Sequence, residues 1–600
     1  MVVPESRTVG PETPFLGIDC SVTGKRWVER GGDERIGLAL SQRLGLPEIV
    51  GRILSSRGIG LEDAASFLEP TLKELLPDPY HLIDMEVAAE RLASAVMQDE
   101  KIGIFGDYDV DGATSSALLR RFIEAVGGKC RIYIPDRVRE GYGPNAPALL
   151  ELRAEGVTVV VTVDCGTSAH EPLQIATDAG MDIIVADHHT AEASLPRITA
   201  LVNPNRLDET SPHGHLAAVG VTFLLVVAVN RVLRDAGWYK ERQEPVLTRW
   251  LDLVALGTVC DVVPLKGINR ALVIQGLKVM AKRQNPGLQA LSDVAGIDDE
   301  PGAYHAGFVL GPRVNAGGRV GAAGLGAQLL ATEDKNEAIE IAHRLNKFNQ
   351  ERQQIEATVL QAAIDQVESG EAPWASETLT IAAAEGWHPG VIGIVASRLK
   401  ERYNRPACVV ALSKGTGSGS GRSVSGVDLG SAVIASVQSG ILMKGGGHSM
   451  AAGFSIDAER IEELGAFLDQ RIGARISEAG IVPTLRIDGA LAAGGATLAL
   501  LKSLEQLAPF GSGNAEPRFV LPSVRISYAS VVGSDHVRLT IDGEGGKKLS
   551  GIAFRCLETP LGQLLLESGG LPVHLVGRLR VNKWQGRSTP QLLVDDAARG

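Results

Sequence analysis

The sequence has no closely spaced cysteine pair, few aromatic side chains, no long apolar run and no excess of positive charge, and each shortage excludes a class of protein. Its six cysteines, Cys20, Cys130, Cys165, Cys260, Cys408 and Cys556, include no CxxC pair, which argues against a zinc ribbon or a disulfide framework and for reduced thiols. The longest apolar stretch, at 221–229, is interrupted by Asn230 and Arg231 and falls far short of the roughly twenty residues that cross a bilayer. Residues 1–35 lack a basic start followed by an apolar core and a small-residue cleavage site, so the expected location is cytoplasmic, with no membrane partner. Aromatics make up 4% of the chain while glycines number 70, a balance that suits the turns of α/β folds better than a β-sandwich. The formal net charge is −12, so contact with phosphate requires local basic patches or bound metals.

The 600 residues, 44% hydrophobic and 22% charged, suit a soluble chain of several globular domains. One string stands out: Asp107, Asp109 and Asp111 in DYDVDG, directly after the apolar run at 102–105. Three carboxylates this close repel one another, and a fold that desolvates them needs a compensating cation; the plainer alternative is a solvated acidic turn. The string imitates the start of a calcium-binding EF-hand loop, but Leu118 stands where that loop needs a bidentate Glu, and a β-like run precedes it in place of a helix. The pattern predicts a strand, a turn bearing three acids, and a helix from about Thr114 that ends at Gly127 and Gly128.

Apolar strands and amphipathic helices then alternate, which predicts βαβ units and a doubly wound parallel sheet with its ligands at the carboxyl ends of the strands. VTVVVTV runs into Asp164, and DIIVA runs into Asp187, His188 and His189. Asp261 follows an apolar helix-like stretch at 250–256 and a turn at 257–260. Alone, Asp261 would be a turn residue and the two histidines a structural pair. Together with the triplet they form a set suited to phosphoryl chemistry, in which two hard divalent ions about 4 Å apart clamp a phosphodiester. Carboxylates suit Mg2+ and Mn2+ alike, whereas imidazole tilts the set toward Mn2+.

DYDVDG, DCG at 164–166, ADHH at 186–189 and GTVCDVVPL at 257–265 together resemble the four motifs of the DHH phosphoesterase superfamily, and within it the RecJ single-strand-specific exonucleases. The resemblance implies Asp107 and Asp109 on one metal, Asp111, His188 and Asp261 on the other, and Asp164 bridging both. It further implies that Asp187 orients His188 and that His189 faces the scissile phosphate. Members outside this branch open their first motif as HxxxDxD, where this chain has Phe105 and offers Asp107 instead.

The second half reads as the rest of a cleft. GPRVNAGGRVG at 311–321 reads as a loop that turns Arg313 and Arg319, with Asn315, toward a phosphate, or as a plain Gly-rich linker. Residues 327–368 read as one or two helices joining two lobes. WHPGVIG at 387–393, SGSGRSVSG at 418–426 and KGGGHSMAAGF at 444–454 resemble a DHHA1 domain, whose Gly-rich turns offer backbone N–H groups to an anion. Read singly, the Gly-Ser string is a flexible loop and His448 a helix-start residue. Alternating strands beyond 484 suggest an OB-type barrel. There, Arg578, Arg580, Lys583 and Arg587 surround Trp584, with no acid between 573 and 594, as single-strand binding uses; an ordinary hairpin is the alternative.

The expected architecture is therefore α/β: an N-terminal helical lead-in (1–95), a doubly wound parallel-sheet DHH domain (96–275), a helical connector (276–370), an α/β DHHA1 domain (371–480) and a C-terminal OB-like β-barrel (481–600). The resemblance implies a metal-dependent 5′ to 3′ exonuclease of single-stranded DNA in repair and recombination, using two divalent ions, Mn2+ first and Mg2+ second. Asp187, His189, Arg313 and Asn315 would be the catalytic side chains. Arg319, His388, Arg422, Ser423, Gly446, Gly447, His448, Arg578, Arg580 and Trp584 would bind substrate. The expected partners are single-stranded DNA, a single-strand-binding protein and a helicase, and the expected state is a monomer. The rival readings are a phosphodiesterase of short oligonucleotides or cyclic dinucleotides, and a non-catalytic DNA-binding scaffold.

Overall fold

Five short runs rich in β-branched residues pair in parallel, in the order Lys129–Tyr133, Lys101–Gly106, Val157–Val163, Asp182–Ala186 and Ala200–Val202. The computed structural model describes residues 13–136, 140–141, 143–479, 482–543 and 546–600. Val157–Val163 is buried at six of its seven positions, as a strand covered on both faces requires. The helices Met85–Met97, Val110–Ala125, Ala218–Asp235 and Leu251–Cys260 contribute to one large apolar core, and Ala146–Ala154 and His170–Asp178 to a second. Strand Lys101–Gly106 has Lys129–Tyr133 on one side and Val157–Val163 on the other, so the winding reverses at this strand. The carboxyl ends of Lys101–Gly106 and Val157–Val163 flank the crevice where such sheets bind ligands, and they run into the Asp triplet and Asp164.

The Val110–Ala125 helix starts four residues before the expected Thr114, because Asp109 caps it by accepting a hydrogen bond from the Gly112 N–H at 3.1 Å. Asp111 therefore lies in its first turn. The stretch expected as a loop at 311–321 is the helix Gly311–Val320, and the expected turn at 257–260 is the last turn of Leu251–Cys260. A second pair of helices, Leu325–Ala331 and Lys335–Ser369, follows. The latter has 35 residues, about 52 Å at 1.5 Å per residue. Asp334 caps its start and Gly370, at φ 78°, its end. Ala338, Ile341, Ala342 and Leu345 join the core of the parallel sheet, whereas Val359 and Ala363 join the core of the next lobe. One rigid rod thus belongs to both cores.

That next lobe is a six-stranded mixed sheet in the order Lys444–His448, Ala451–Asp457, Thr416–Arg422, Ala407–Ser413, Thr380–Glu385 and Trp374–Ala375. The glycine-rich strings expected as turns are two of its strands. Side chains at Gly417, Gly419 and Gly421 would collide with Val410, Phe454 and Leu429, each within 2.6 Å or less of an added Cβ, so glycine lets bulky neighbours pack over the strand.

The chain divides into two compact units, Leu72–Ile481 and Met1–Thr71 with Val482–Gly600. In the second unit, Phe519–Val532, His536–Asp542, Lys548–Ala553, Arg587–Arg599 and Val573–Trp584 pair in sequence, and the last pairs back with the first to close a five-stranded barrel. Arg26–Glu29 pairs in parallel with Thr484–Ile487, and the fully buried Trp27 donates its indole N–H to Asp596 Oδ2 at 2.9 Å. Leu40, Val50, Ile53 and Leu54 share the barrel's apolar core. The division thus falls at 71/72, where the sequence suggested a lead-in to 95; residues 1–12, the expected 480/481 boundary and part of the Gly-rich turn at 542–546 lie outside the described residues.

Candidate metal centre

Each acidic station sits where a strand or helix ends. Asp107 and Asp109 follow Lys101–Gly106, Asp164 follows Val157–Val163, Asp187 follows Asp182–Ala186, and Asp261 follows Leu251–Cys260. Two positions carry backbone strain: Asp164 has φ 61° and Val262 has φ 62°, a left-handed conformation that is costly for any L-residue and most so for a β-branched one. Glycines at 112 and 257 make the approach possible. A Cβ at Gly112 would lie 2.4 Å from the Asp107 carbonyl oxygen, and one at Gly257 only 2.3 Å from Thr114 Oγ1 and 3.0 Å from Asp111 Oδ1.

The carboxylates converge on one imidazole nitrogen. His188 Nε2 lies 3.4 Å from Asp164 Oδ1, 3.6 Å from Asp261 Oδ2 and 4.0 Å from Asp111 Oδ2. The other ring nitrogen, Nδ1, is 3.0 Å from the Leu216 carbonyl. A carbonyl only accepts, so Nδ1 is the donor, and Nε2 of the neutral ring presents a lone pair. Burial and the neighbouring His189 lower the pKa of His188, which keeps it neutral. Lone pairs of one imidazole and three carboxylates therefore face a common point, and neither His188 Nε2 nor Asp261 Oδ2 has a hydrogen-bond partner. A divalent cation is what this donor set fits. Asp107, Asp109 and Asp164 form a second group whose ligand atoms lie within 4.8 Å of one another, beside Asp111, His188 and Asp261.

The cost of assembling these acids is visible in their titration. Burial, with Asp109 nearby, pushes the Asp111 carboxyl up to about 7. Burial, with Asp111 and Asp109, pushes Asp261 up to about 9, and burial among four other Asp raises Asp164 well above the usual carboxylate range. Asp111 has some relief, accepting the backbone N–H groups of Ala218 at 2.7 Å and Val219 at 2.9 Å at the start of the Ala218–Asp235 helix, where the helix end is electropositive.

Asp187 behaves in the opposite way. Burial alone would raise its pKa, but hydrogen bonds from His189 and Thr167 and the nearby imidazoles hold it well below the carboxylate range. Its Oδ1 accepts from the His188 and His189 backbone N–H groups at 2.7 and 3.2 Å and from His189 Nδ1 at 2.7 Å. The expectation that Asp187 orients the His188 ring is thus corrected: it orients the His189 ring, while the Leu216 carbonyl orients His188. Burial opposes charge on His189, yet the Asp187 carboxylate outweighs it and raises its pKa to about 9. Thr167 and Asn203 brace this pair, Thr167 Oγ1 donating to Asp187 Oδ2 at 2.7 Å and Asn203 Nδ2 to the His189 carbonyl at 2.8 Å. Sequence reading named neither; the polar residues Thr167 and Asn203 just beyond strand ends were the available signal.

The remaining expected site residues divide. Gly318 packs against Tyr108, where an added Cβ would meet the Tyr108 carbonyl at 3.0 Å, so the Gly311–Val320 helix, which carries Asn315 and Arg319, meets the acidic loop at Gly318. Arg319 Nη1 donates to the Gly390 carbonyl at 3.0 Å, linking the parallel-sheet lobe to the loop that carries His388. Arg313 donates to Val309 O at 2.7 Å and Asn346 Oδ1 at 3.0 Å, so it is engaged in the fold. Arg422 donates to Ser420 Oγ and the Gly421 carbonyl, and its Nη2 would lie 2.9 Å from a Cβ added at Gly393. Ser423 is buried and donates its hydroxyl to the Val427 carbonyl at 2.7 Å, which removes it as an open contact. Gly446, Gly447 and His448 lie on the edge strand Lys444–His448, with His448 exposed. In the barrel, Trp584 is 71% exposed and Arg580 pairs with Glu516 at 2.8 Å. Arg578 pairs with Asp595 at 2.8 Å and with Glu516 at 3.5 Å, so it braces the barrel.

Comparison with known proteins agrees with this layout. Residues 101–258 match the DHH family N-terminal domain, 376–474 the DHHA1 domain and 487–596 the RecJ OB domain. The chain is 36% identical over 568 residues to the single-stranded-DNA-specific exonuclease RecJ of Escherichia coli, covering 92% of this chain and 96% of that protein. It is 33% identical over 581 residues to the protein of that name from Bacillus subtilis, covering 96% and 71%. Among solved structures, RecJ in complex with Mn2+ from Thermus thermophilus matches with a TM-score of 0.79 at 28% identity, covering 95% of this chain and 78% of that one. The Mg2+ complex from the same source matches at 0.74, with 27% identity over 95% and 77% of the two chains.

Proposed function

The chain belongs to the RecJ family of single-stranded-DNA-specific exonucleases, and from that membership we propose how its own residues divide the work of hydrolysing phosphodiester bonds in single-stranded DNA. The observation that carries the reading is the convergence of Asp111, Asp164 and Asp261 on the unprotonated Nε2 of His188, within 3.4 to 4.0 Å. Asp111, His188 and Asp261 would hold one divalent ion, Asp107 and Asp109 a second, and Asp164 would serve both. The imidazole among the ligands favours Mn2+, with Mg2+ as the alternative. When bound, such ions supply Lewis acidity toward a phosphodiester and its attacking water.

His189 has a separate task. Its Nδ1 proton is committed to Asp187, and Nε2 is the atom assigned to the substrate. Because Asp187 holds the ring protonated near neutral pH, Nε2 donates to a phosphate oxygen and stabilises the charge that develops there. Asn315 and Arg319, on the helix whose Gly318 packs on Tyr108, position the same phosphate. The second lobe, with His388, Arg422 and the Lys444–His448 strand, supports the strand leading to it, and Trp584 and Arg580 of the barrel contact it by stacking and charge. The cleft between the two lobes admits one strand and excludes a duplex, the polarity is 5′ to 3′, and the role is in repair and recombination. A single-strand-binding protein, a helicase that supplies the strand, a monomeric state and a cytoplasmic location complete the reading.

Digestion of single-stranded DNA labelled at one end or the other, with Mn2+ or Mg2+ supplied, tests it. Early release of label from the 5′ end is expected, and duplex DNA should resist. Release from the 3′ end would overturn the polarity, and no hydrolysis with either ion would overturn the function.

A further inference from the structure

Tyr304 and Phe308 are 60% and 73% exposed, yet their rings stack on each other, with centroids 5.4 Å apart and planes inclined by 25°. Large apolar groups are normally left in water singly, and an ordered exposed pair marks a surface that meets a partner. Phe308 stands on a π-helical turn, His305–Leu310, a rare geometry that recurs at functional sites, and Tyr304 directly precedes that turn. The fold uses the other side of that turn. Ala306 and Leu310 are buried, the Cys260 thiol is 3.4 Å from the Ala306 carbonyl, and an added Cβ at Gly311 would lie 2.4 Å from Cys260 Sγ. Cys260 directly precedes Asp261. The turn then runs straight into the Gly311–Val320 helix, whose Gly318 packs on Tyr108 between Asp107 and Asp109. The segment that displays the rings is therefore pinned at two points to residues adjoining the candidate metal ligands.

We propose that the Tyr304–Phe308 pair is a stacking platform for a base of the DNA strand held at the metal centre. The inference rests on the function given above and adds a substrate contact to it. Nucleobases are flat π partners that stack on aromatic rings whatever their identity, and the offset pair leaves an outer ring face open to such a partner. Sequence-independent contact is what an enzyme that moves along a strand needs. The continuity of the turn with the centre selects a base over any other occupant of this surface.

A single abasic position walked along a single-stranded oligonucleotide tests the proposal. In the native protein, one or two positions should raise KM about ten-fold, the scale of one lost base–aromatic stack. Phe308→Ala and Tyr304→Ala should raise KM on the intact strand by a similar factor, affect kcat far less, and lose sensitivity to those positions. Phe308→Trp should retain the native values of both. Thermal unfolding of the variants, whose rings are largely outside the core, checks that the fold is retained. Variants with the native abasic profile, or with unchanged KM, would overturn the platform alone. A native protein that degrades no single strand would overturn the function on which it rests.

Discussion

Metal binding at this centre should be paid for in protons, and the structure names the groups that release them. Burial and mutual repulsion hold Asp111 at about 7 and Asp261 at about 9, against 3.8 for a free carboxyl. Burial and His189 hold His188 below the ordinary imidazole value. Near pH 6 both acids are protonated, so an ion entering among Asp111, His188 and Asp261 must displace at least their two protons, and Asp164, raised well above the carboxylate range, adds to that demand. From these two acids apparent affinity should then rise by about 50-fold from pH 6 to 7, or ~2.3 kcal/mol at 1.36 kcal/mol per ten-fold, since Asp111 is half titrated at the upper end. From pH 7 to 8 Asp261 still releases one and half-titrated Asp111 the rest of its own, so the gain falls to about 15-fold, or ~1.6 kcal/mol. The sign for the metal-free fold is the reverse. Carboxyls with raised folded pKa values bind more protons folded than unfolded, so the stability they contribute is full below about pH 4 and is lost as pH climbs to about 7 for Asp111 and about 9 for Asp261. Urea unfolding near pH 6, 7 and 8, with chelator or with millimolar Mn2+, reads both, because ion binding stabilises the native state in proportion to the logarithm of its affinity. A stabilisation by Mn2+ that is equal at pH 6 and pH 8 would refute the reasoning.

Three other perturbations follow from single contacts. Asp164→Ala should abolish hydrolysis while the chelated protein unfolds no more easily than the native one, since a buried, repelled carboxyl is removed; measurable turnover would contradict its role in both ion sites. Asp187→Asn should lower kcat by about 10² to 10⁴ through loss of the oriented, charged His189 and leave Mn2+ binding by calorimetry nearly unchanged, because the His188 ring is held by Leu216. Arg580→Ala with Trp584→Ala should weaken binding to long strands and flatten its salt dependence, whereas Arg578→Ala should lower the melting temperature with little effect on that slope; equal effects on the slope would reverse the two assignments.

The candidate ligands were legible in the sequence because each follows an apolar run whose period and length announce a strand or helix end, as VTVVVTV announces Asp164. The sequence could not disclose what orients them. The Leu216 carbonyl that fixes the His188 ring is a backbone group with no residue signature, and it arrives from 28 residues away. Gly257 looked like a turn, but it is a helical residue made small by Thr114 and Asp111. Composition also misled at 311–320 and 416–422, where glycine suggested loops. There tertiary packing against Cys260, Tyr108, Val410 and Phe454 outweighs local propensity. Arg578 looked available because no acid is near it in sequence before Asp595, yet Glu516 and Asp595 are brought to it by the barrel.

Trp27 and its hydrogen-bond partner Asp596 are 569 positions apart, and this separation sets an order of events during synthesis. At the ~5 to 20 residues per second of a translating ribosome, the indole waits about half a minute to two minutes for its acceptor. A large apolar side chain and the strand Arg26–Glu29 are synthesised long before Thr484–Ile487 and Asp596, which pair with them. The nascent protein therefore presents a standing target for chaperones until its final strands appear, and a chain cut short within those strands would complete its catalytic lobes yet leave its own beginning uncovered.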